Sequence, residues 1–326
     1  MTVKLSVIVP IYNMALWLRE CLESVRLSAV RLVQEAPGDR LVEIVCVDDG
    51  STDGSGVVID EFADGGAQVA GVSWRVIRQD NRGVSAARNA GLDVATGDFI
   101  AFVDGDDTVA ETWLMELWQA VSRPGVEMVR GRWTGEGRVD AGDDIAGVCR
   151  HGYACISCYR RETIGATRFV DGLGFAEDLV FNLELLAKGV RFARCACVGY
   201  HYRQRSDSAR TREVSGDEWL KLVDGCERVL DKADASQRSE WIAPVSRMLL
   251  DHIGRWAAWG RRRAGERELR RRLRAMRRTG RLVIRATKFK YWFPLWCYLE
   301  LGWRTPVKAL QLVIGVERWR RKHMSM

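Results

Sequence analysis

The feature that most constrains the fold is the alternation of apolar runs and helical segments along the first hundred residues. Short runs rich in Val and Ile predict strands at about 5–9, 41–47, 74–77 and 98–103. Helical segments are predicted between them, at about 14–35, after the GSTDGSG turn, and at about 84–94. Strands that are apolar at nearly every position are typical of a parallel sheet covered on both faces. We therefore expect an α/β fold, a mostly parallel sheet flanked by helices.

Charge divides the chain into an acidic body and a basic tail. From Gly254 onward there are 21 Lys and Arg against 4 Asp and Glu, a net charge of +17, whereas the preceding residues sum to −10. The tail also carries Trp292, Phe293, Trp296, Tyr298 and Trp303. A basic helix followed by aromatic residues is typical of a segment that lies on an anionic membrane surface.

Cysteine usage and the amino-terminal stretch indicate a reducing compartment. Nine cysteines are scattered through strand-like and helical text, and we interpret them as buried thiols. Zinc bound by the pairs 155/158 and 195/197 is an alternative interpretation. The amino-terminal apolar stretch is cut by Pro10 and Asn13, so it predicts a strand rather than a signal peptide. No run reaches ~18 apolar residues, so no spanning helix is predicted.

Polar side chains follow the predicted strands at the points where the strands end. They lie at 10–13, 48–53 and 104–107. Because the carboxyl ends of parallel strands meet at one edge of a sheet, we expect these groups to share one crevice. We also predict that Thr108 and Glu111 form a capping box for the helix after the last of them.

The FVDGDD cluster predicts a divalent-cation site. No glycine-rich phosphate-binding loop follows the first strand, so another group must neutralise a diphosphate. Asp104 and Asp106 offer hard oxygen ligands suited to Mn²⁺ or Mg²⁺, with positions left for phosphate oxygens, and Asp107 is a further candidate. A helix cap in a solvated turn is the alternative, although one Asp is enough for a cap.

Four motifs in this order and spacing resemble the inverting glycosyltransferases of family two, which have a GT-A fold. The motifs are SVIVPIYNMALWLRECLESV, VDDGSTDGS, NRGVSAARNAGL and GDFIAFVDGDD, and the resemblance resumes at GFAEDLVFNLELLAKG and YHYRQRSDS. Within the family the chain is most similar to bacterial enzymes that build capsule or exopolysaccharide. The resemblance implies transfer from a nucleotide-sugar donor, UDP-linked in our interpretation, to an acceptor hydroxyl of a growing glycan.

The resemblance also implies roles for individual residues. Asp104 and Asp106 match the D-x-D pair that holds the metal and touches the donor. The remaining donor-side positions implied by the resemblance are Pro10, Tyr12, Asn13, Asp48, Asp49, Arg88 and Asn89. Of these, Asp49 matches the carboxylate that contacts the uracil edge. A guanidinium at Arg88 is suited to phosphate.

Asp178, in the Glu177-Asp178 pair, matches the catalytic base of the family. Inversion is a single displacement, so the enzyme needs one base facing the acceptor hydroxyl. We expect a helix to begin here and to lower the pKa of Asp178. His201 is a further candidate metal ligand, and a structural histidine within a strand is its alternative interpretation.

These inferences give a domain plan and leave two other functions open. Residues 1–212 are predicted to form a GT-A domain, with a nucleotide-sugar half at 1–110 and an acceptor-side half at 111–212. Residues 213–326 are predicted to form a helical, membrane-associating region. We expect a cytoplasmic enzyme, peripheral on the inner face of the cell membrane, with a lipid-linked acceptor. A nucleotidyltransferase, or an RNA-binding protein driven by the basic tail, is the alternative.

Overall fold

The computed structural model divides the chain into two compact units, Met1–Arg212 and Glu213–Met326. The structure describes residues 3–35, 40–65, 69–134, 147–149, 152–204, 214–233, 238–257 and 266–282. Trp292 and the other aromatic residues of the tail lie outside the described residues.

The first unit alternates strands and helices as predicted. Its strands are β1 Val3–Ile11, β2 Arg40–Asp48, β3 Val72–Arg78, β4 Phe99–Phe102, β5 Thr108–Val109, β6 Met128–Arg130, β7 Trp133–Thr134, β8 Ser157–Arg160, β9 Phe192–Arg194 and β10 Tyr200–His201. Its helices are α1 Ala15–Glu35, α2 Ser55–Gly65, α3 Val84–Val94, α4 Trp113–Val121, α5 Arg161–Ile164 and α6 Glu177–Ala187. The α1 and α3 helices match their predicted bounds to within one residue.

Seven strands form the central sheet in the order β3-β2-β1-β4-β8-β6-β9. Strands β1 to β4 are parallel, and β1 lies between β2 and β4 with Val7 opposite Ile44 and Ala101. Strand β8 is antiparallel to both of its neighbours, β4 and β6. The sheet is therefore mostly parallel, which confirms the predicted fold class.

Each central strand is buried on both faces because its alternate residues enter two separate cores. Val7 and Val9 of β1 pack in one core with the apolar faces of α1 and α4. Ile8, between them, packs in the other core with Ala87 and Leu92 of α3. Alternate residues of a strand face opposite sides of the sheet, and both sides are covered here. Nearly every position of these strands is therefore apolar.

Close packing of α3 on the sheet requires glycine at position 91. A β-carbon there would lie 2.4 Å from a methyl group of Ile8, which no real packing allows. The neighbouring sheet end is held by the buried carboxylate of Glu43. That carboxylate accepts hydrogen bonds from Ser6 and from the Thr96 hydroxyl, the latter at 3.0 Å, and forms an ion pair with Lys4 at 3.0 Å.

A three-stranded sheet, in the order β5-β10-β7, contradicts the predicted capping box. Thr108 lies in β5, where it pairs with His201 of β10, and α4 begins five residues later at Trp113 without a side-chain cap. The pairing partner is 93 residues away in sequence, and β-pairing at that separation overrides a local capping signal. A second correction concerns Pro10, which lies inside β1 rather than in the loop after it.

The second unit contains three described helices, α7 Gly216–Lys232, α8 Arg238–Ala257 and α9 Glu266–Arg278. Helix α7 begins with a capping box between Ser215 and Glu218. Helix α9 buries Leu269, Leu273 and Met276, and its Arg272 pairs with Asp224 and Glu227 of α7. Among the described residues, no helix is both long and apolar enough to cross a membrane.

Candidate active site

Three loops with polar side chains meet at the carboxyl edge of adjacent strands. The loop after β1 begins at Tyr12, the loop after β2 contains Asp49, and the loop after β4 contains Asp104. Because β2, β1 and β4 are neighbours in the sheet, these loops lie side by side. The predicted crevice therefore has a physical basis in the strand order.

The loops after β1 and β2 are joined by reciprocal hydrogen bonds. The Asn13 side-chain oxygen accepts from the Thr52 amide at 2.8 Å, and the Asn13 amide donates to the Ser51 hydroxyl at 3.0 Å. Asn13 adopts a left-handed backbone conformation with φ of 53°, which costs energy for a residue with a β-carbon. Tyr12 beside it is 42% exposed, so its ring is available to a ligand.

Asp49 is buried and anchors the segment that leads into α3. Its carboxylate accepts from the Gln79 side-chain amide at 2.7 Å and from the backbone amides of Arg82 and Gly83 at 2.9 and 2.7 Å. A carboxylate has about four acceptor positions, so about one remains for a ligand. Asp48 accepts from the Ser51 amide at 2.9 Å, which shapes the same loop.

One guanidinium joins the two acidic motifs. Arg88 of α3 donates to Asp104 at 2.7 Å and to Glu177 at 2.7 Å, although these partners lie 16 and 89 residues away in sequence. The Arg88 side chain is 4% exposed, whereas that of Asp104 is 31% exposed. Asp104 therefore faces the opening of the cleft while Arg88 lies beneath it.

The environment of Arg88 is strongly acidic. Burial disfavours its positive charge, but Asp104, Glu177 and Asp178 outweigh burial and raise the pKa of the Arg88 guanidinium well above its usual value. Arg88 also lies 5.3 Å from the centre of the Phe169 ring, a distance suited to a cation–π contact. The side chain is thus a fixed cation in a cluster of carboxylates.

The pKa of Asp178 is raised, contrary to the sequence prediction. Burial and the neighbouring charges of Glu177 and Asp104 raise the pKa of Asp178 to about 7, even though Arg88 and the Leu179 amide act in the opposite direction. Helix α6 begins at Glu177 as expected, but the effect of the helix terminus is smaller than that of burial among like charges. Ala176, just before the pair, has a left-handed φ of 55°. Strain of this kind in a residue other than glycine clusters at functional sites.

Asp107 is the structural anchor of the acidic loop. Its carboxylate accepts from the Tyr200 hydroxyl at 2.6 Å and from the Arg203 amide at 2.7 Å. The Tyr200 hydroxyl also accepts from the Asp104 amide at 3.2 Å. Burial, with the charges of Asp104 and Asp106, raises the pKa of Asp107 to about 8. The loop geometry therefore depends on the strand that carries Tyr200.

The other predicted residues have partners within the protein. Asn89 donates to the Phe169 carbonyl and accepts from the Phe169 amide, both at 2.9 Å, so it holds this segment against α3. His201 is exposed, and its Nδ1 lies 2.6 Å from the Thr134 hydroxyl. Asp104, Asp106 and His201 do not form a set of described residues whose ligand atoms all lie within 4.8 Å of one another.

Sequence reasoning missed two contributions to this site. It treated Glu177 as a neighbour of the base, whereas the structure makes it a partner of Arg88. It also assigned no role to Tyr200, which supports the acidic loop. The only sequence indication of a role for Tyr200 was weak, namely its place beside the strand-like HYR stretch.

A mostly parallel sheet with this carboxylate-rich edge matches the GT-A fold expected from the sequence. Residues 6–144 match the family described as Glycosyl transferase family 2. Over these residues the match agrees with the resemblance noted in the sequence.

Two curated bacterial relatives agree with this assignment. The uncharacterized glycosyltransferase EpsJ of Bacillus subtilis is 29% identical over 226 residues, which cover 62% of this chain and 62% of EpsJ. The minor teichoic acid biosynthesis protein GgaA of the same organism is 28% identical over 221 residues, covering 62% of this chain and 47% of GgaA. The chain thus spans less than two thirds of the length of either relative.

Two solved structures share the fold. TarS residues 1–349 of S. aureus, in complex with UDP-GlcNAc, superpose with a TM-score of 0.73 at 18% identity, covering 98% of this chain and 92% of that one. The mannosyltransferase PcManGT of Pyrobaculum calidifontis, in complex with GDP-Man and Mn²⁺, superposes with a TM-score of 0.54 at 18% identity, covering 94% of this chain and 86% of that one. At this identity the likeness concerns the fold alone.

Proposed function

We propose that this protein is an inverting glycosyltransferase that moves a hexose from a nucleotide-sugar donor to an acceptor hydroxyl. The observation that carries the proposal is the bridge from Asp104 through Arg88 to Glu177. It brings the donor-side carboxylates and the predicted base, Asp178, into one cleft. An inverting displacement requires these two groups of residues on opposite sides of one reacting carbon.

The donor half of the cleft fits a nucleoside diphosphate, which we propose to be UDP. Tyr12 offers an exposed ring for the base, and the buried Asp49 retains about one acceptor position for an N–H group of that base. The complex of TarS with UDP-GlcNAc supports a uridine donor by analogy of fold. Asp48 and Asn13 shape the loops on which these two residues lie.

Asp104 and Asp106 would hold the divalent cation, Mn²⁺ or Mg²⁺. The residues fit such an ion because the Asp104 carboxylate is partly exposed at the cleft, and Arg88 binds one of its two oxygens, Oδ1. Carboxylate oxygens are the ligands that these hard ions prefer. When bound, the ion supplies Lewis-acid stabilisation of the departing diphosphate. PcManGT, which was solved with Mn²⁺, has the same fold.

Asp178 would accept the proton of the acceptor hydroxyl. A base works best when its pKa is near the working pH, and burial among like charges gives Asp178 that property. Glu177, the residue before it, is held by a hydrogen bond from Arg88 at 2.7 Å. No covalent intermediate is needed, because the hydroxyl oxygen displaces the diphosphate in one step.

The second unit offers a surface for an anionic membrane, and we propose a lipid-linked glycan as the acceptor. Helix α9 has seven Arg and two Glu, and its exposed residues include Arg267, Arg277 and Arg278. Each basic residue near an anionic surface contributes about 1 kcal/mol. The teichoic acid role in the name of GgaA supports a surface polymer as product. In this interpretation the enzyme is peripheral on the inner face of the membrane.

A donor-hydrolysis screen with UDP-, GDP- and dTDP-sugars in Mn²⁺ tests the proposal. We expect hydrolysis of UDP-sugars, its loss with EDTA, and its recovery with added Mn²⁺ or Mg²⁺. Asp178→Asn should lower transfer on the order of 10²- to 10⁴-fold, the usual contribution of a general base, while donor binding is kept. Asp60→Asn, which changes an exposed carboxylate of α2 paired with Arg78, is the matched control and should stay active. Normal turnover by Asp178→Asn would refute the assignment of the base.

A further inference from the structure

A second set of potential metal ligands lies outside the cleft, on the segment between β9 and β10. Residues Cys195, Ala196 and Cys197 continue from β9 in an extended conformation, with the Cys195 amide bonded to the Arg130 carbonyl at 2.9 Å and the Arg132 amide to the Cys197 carbonyl at 2.7 Å. Alternate residues of an extended chain face the same side. Accordingly both cysteines are buried and Ala196 between them is exposed. The two thiols therefore share one face.

Glu116 of α4 completes the set. One carboxylate oxygen of Glu116 and the sulfurs of Cys195 and Cys197 all lie within 4.8 Å of one another. The Cys195 thiol also lies 3.6 Å from the Glu116 carbonyl, so the helix and the extended segment are in direct contact. Among the described residues, this is the set of three metal-ligating side chains that reaches such a separation.

Contacts within the set hold the two sulfurs beside each other. The Cys197 amide donates to the Cys195 sulfur at 3.3 Å. Two sulfurs and one carboxylate oxygen converge on one place in this way, and they form a donor set that a thiol-binding cation can use.

The ligand types select a soft or borderline ion rather than the hard ion of the cleft. Thiolates bind zinc at about 2.3 Å and carboxylates bind it at about 2.0–2.2 Å. A tetrahedral zinc ion places two sulfurs roughly 3.8 Å apart, which lies within the 4.8 Å limit that these ligand atoms keep. Mg²⁺ and Mn²⁺ prefer oxygen ligands and fit this set poorly.

We propose that Glu116, Cys195 and Cys197 form a zinc site with an open fourth position. Of the two cysteine pairs considered for zinc from the sequence, 195/197 belongs to this set, whereas 155/158 does not join it within the 4.8 Å limit. The ion would tie α4 to the segment that leads into β10. Tyr200 of that strand packs on Trp113 of α4 with ring centres 6.0 Å apart, and it also donates to Asp107. The site would therefore fix the strand that supports the acidic loop.

Cobalt substitution tests this site independently of glycosyl transfer. Co²⁺ added to the metal-free protein should give sulfur-to-cobalt charge-transfer absorption and the visible bands of a tetrahedral ion, and the sulfur absorption should saturate with one ion per chain at this site. Co²⁺ on oxygen ligands alone gives no sulfur charge transfer, so binding at Asp104 is distinguishable. Zinc should displace the cobalt, whereas Mg²⁺ should not.

Variants locate the ion. The double change Cys195→Ser with Cys197→Ser should abolish the sulfur-to-cobalt absorption, and Glu116→Gln should weaken Co²⁺ affinity while the absorption is retained. Cys46→Ala, which removes a buried thiol from β2, is the matched control and should leave the signal unchanged. Absence of the absorption in the unaltered protein, or its persistence in the double variant, would overturn the proposal. So would a mass lower by two hydrogens that maps to a Cys195–Cys197 disulfide.

Discussion

Replacing Arg88 by Gln tests the central electrostatic claim about the cleft. The change keeps a polar side chain of moderate size and removes the cation that lies between Asp104 and Glu177. Removing one partner of a buried ion pair costs about 3–5 kcal/mol, because the remaining charges stay buried and uncompensated. In a domain of this size each kcal/mol lowers Tm by about 2–4 °C, so Tm should fall by roughly 6–20 °C.

A divalent cation should restore part of this loss. The carboxylates released from Arg88 no longer have a competing guanidinium, so Mn²⁺ should stabilise Arg88→Gln more than it stabilises the unaltered protein. Saturation at 100 times the dissociation constant contributes about 2.7 kcal/mol. The assay is thermal unfolding followed by calorimetry, with Mn²⁺ and with EDTA.

The control for Arg88→Gln is a change at Arg168, which also donates through two guanidinium nitrogens but lies at the surface. Arg168 binds Asp93 through Nε and Nη2 at 3.1 and 2.8 Å, and the two side chains are 37% and 62% exposed. Exposed pairs contribute about 0–1 kcal/mol, so Arg168→Gln should shift Tm by a few degrees at most and show no added response to Mn²⁺. Equal Tm values for the two variants, or equal responses to Mn²⁺, would show that Arg88 does not compensate a buried acidic cluster.

Three further predictions concern pH and the supports of the site. Glu177 raises the pKa of Asp178, so Glu177→Gln should shift the acid limb of the profile of kcat/KM against pH to lower pH by roughly one unit; a shift to higher pH would contradict the assignment. Hydrogen bonds from Ser6, Thr96 and Lys4 outweigh burial and hold the pKa of the Glu43 carboxyl at about 2. The stabilisation that Glu43 contributes is therefore complete above its unfolded pKa of about 4.3, and it is lost as pH falls towards 2. Urea unfolding of Glu43→Gln should therefore show a deficit of about 3 kcal/mol at pH 7 that shrinks below pH 4, and a deficit independent of pH would refute this. Tyr200→Phe should lower the free energy of unfolding by about 1–3 kcal/mol, because the Asp107 carboxylate loses a hydrogen-bond donor. It should also raise the Mn²⁺ concentration needed for half-maximal activity. Unchanged Mn²⁺ activation would show that the loop keeps its shape without Tyr200.

The sequence predicted the fold where the determining forces were local or periodic. Burial on both faces leaves a direct trace in the text, because nearly every residue of β1 and β2 must be apolar. The helical segments predicted from the sequence match the start of α1 and both ends of α3 to within one residue. The prediction that the loops at the strand ends share one crevice followed from the parallel arrangement of the strands.

Features that depend on distant partners were not predictable in this way. Thr108 pairs with His201, which follows it by 93 residues, and the sequence around Thr108 does not indicate this pairing. The pKa of Asp178 depends first on burial and then on the adjacent Glu177, and also on Asp104, which lies 74 positions earlier in the sequence. A helix terminus is a local property, so sequence reasoning gave it too much weight. Motif resemblance named the donor-side residues, but only coordinates reveal that Asp49 and Asn89 already bind backbone groups.

The double engagement of Arg88 limits how this chain can be altered. Here the helix that begins with Glu177 and the loop that contains Asp104 share one counterion. If α6 is replaced by the helix of a relative, the ion pair with Arg88 changes and the acidic loop changes with it, so chimaeras should include α3 and α6 together.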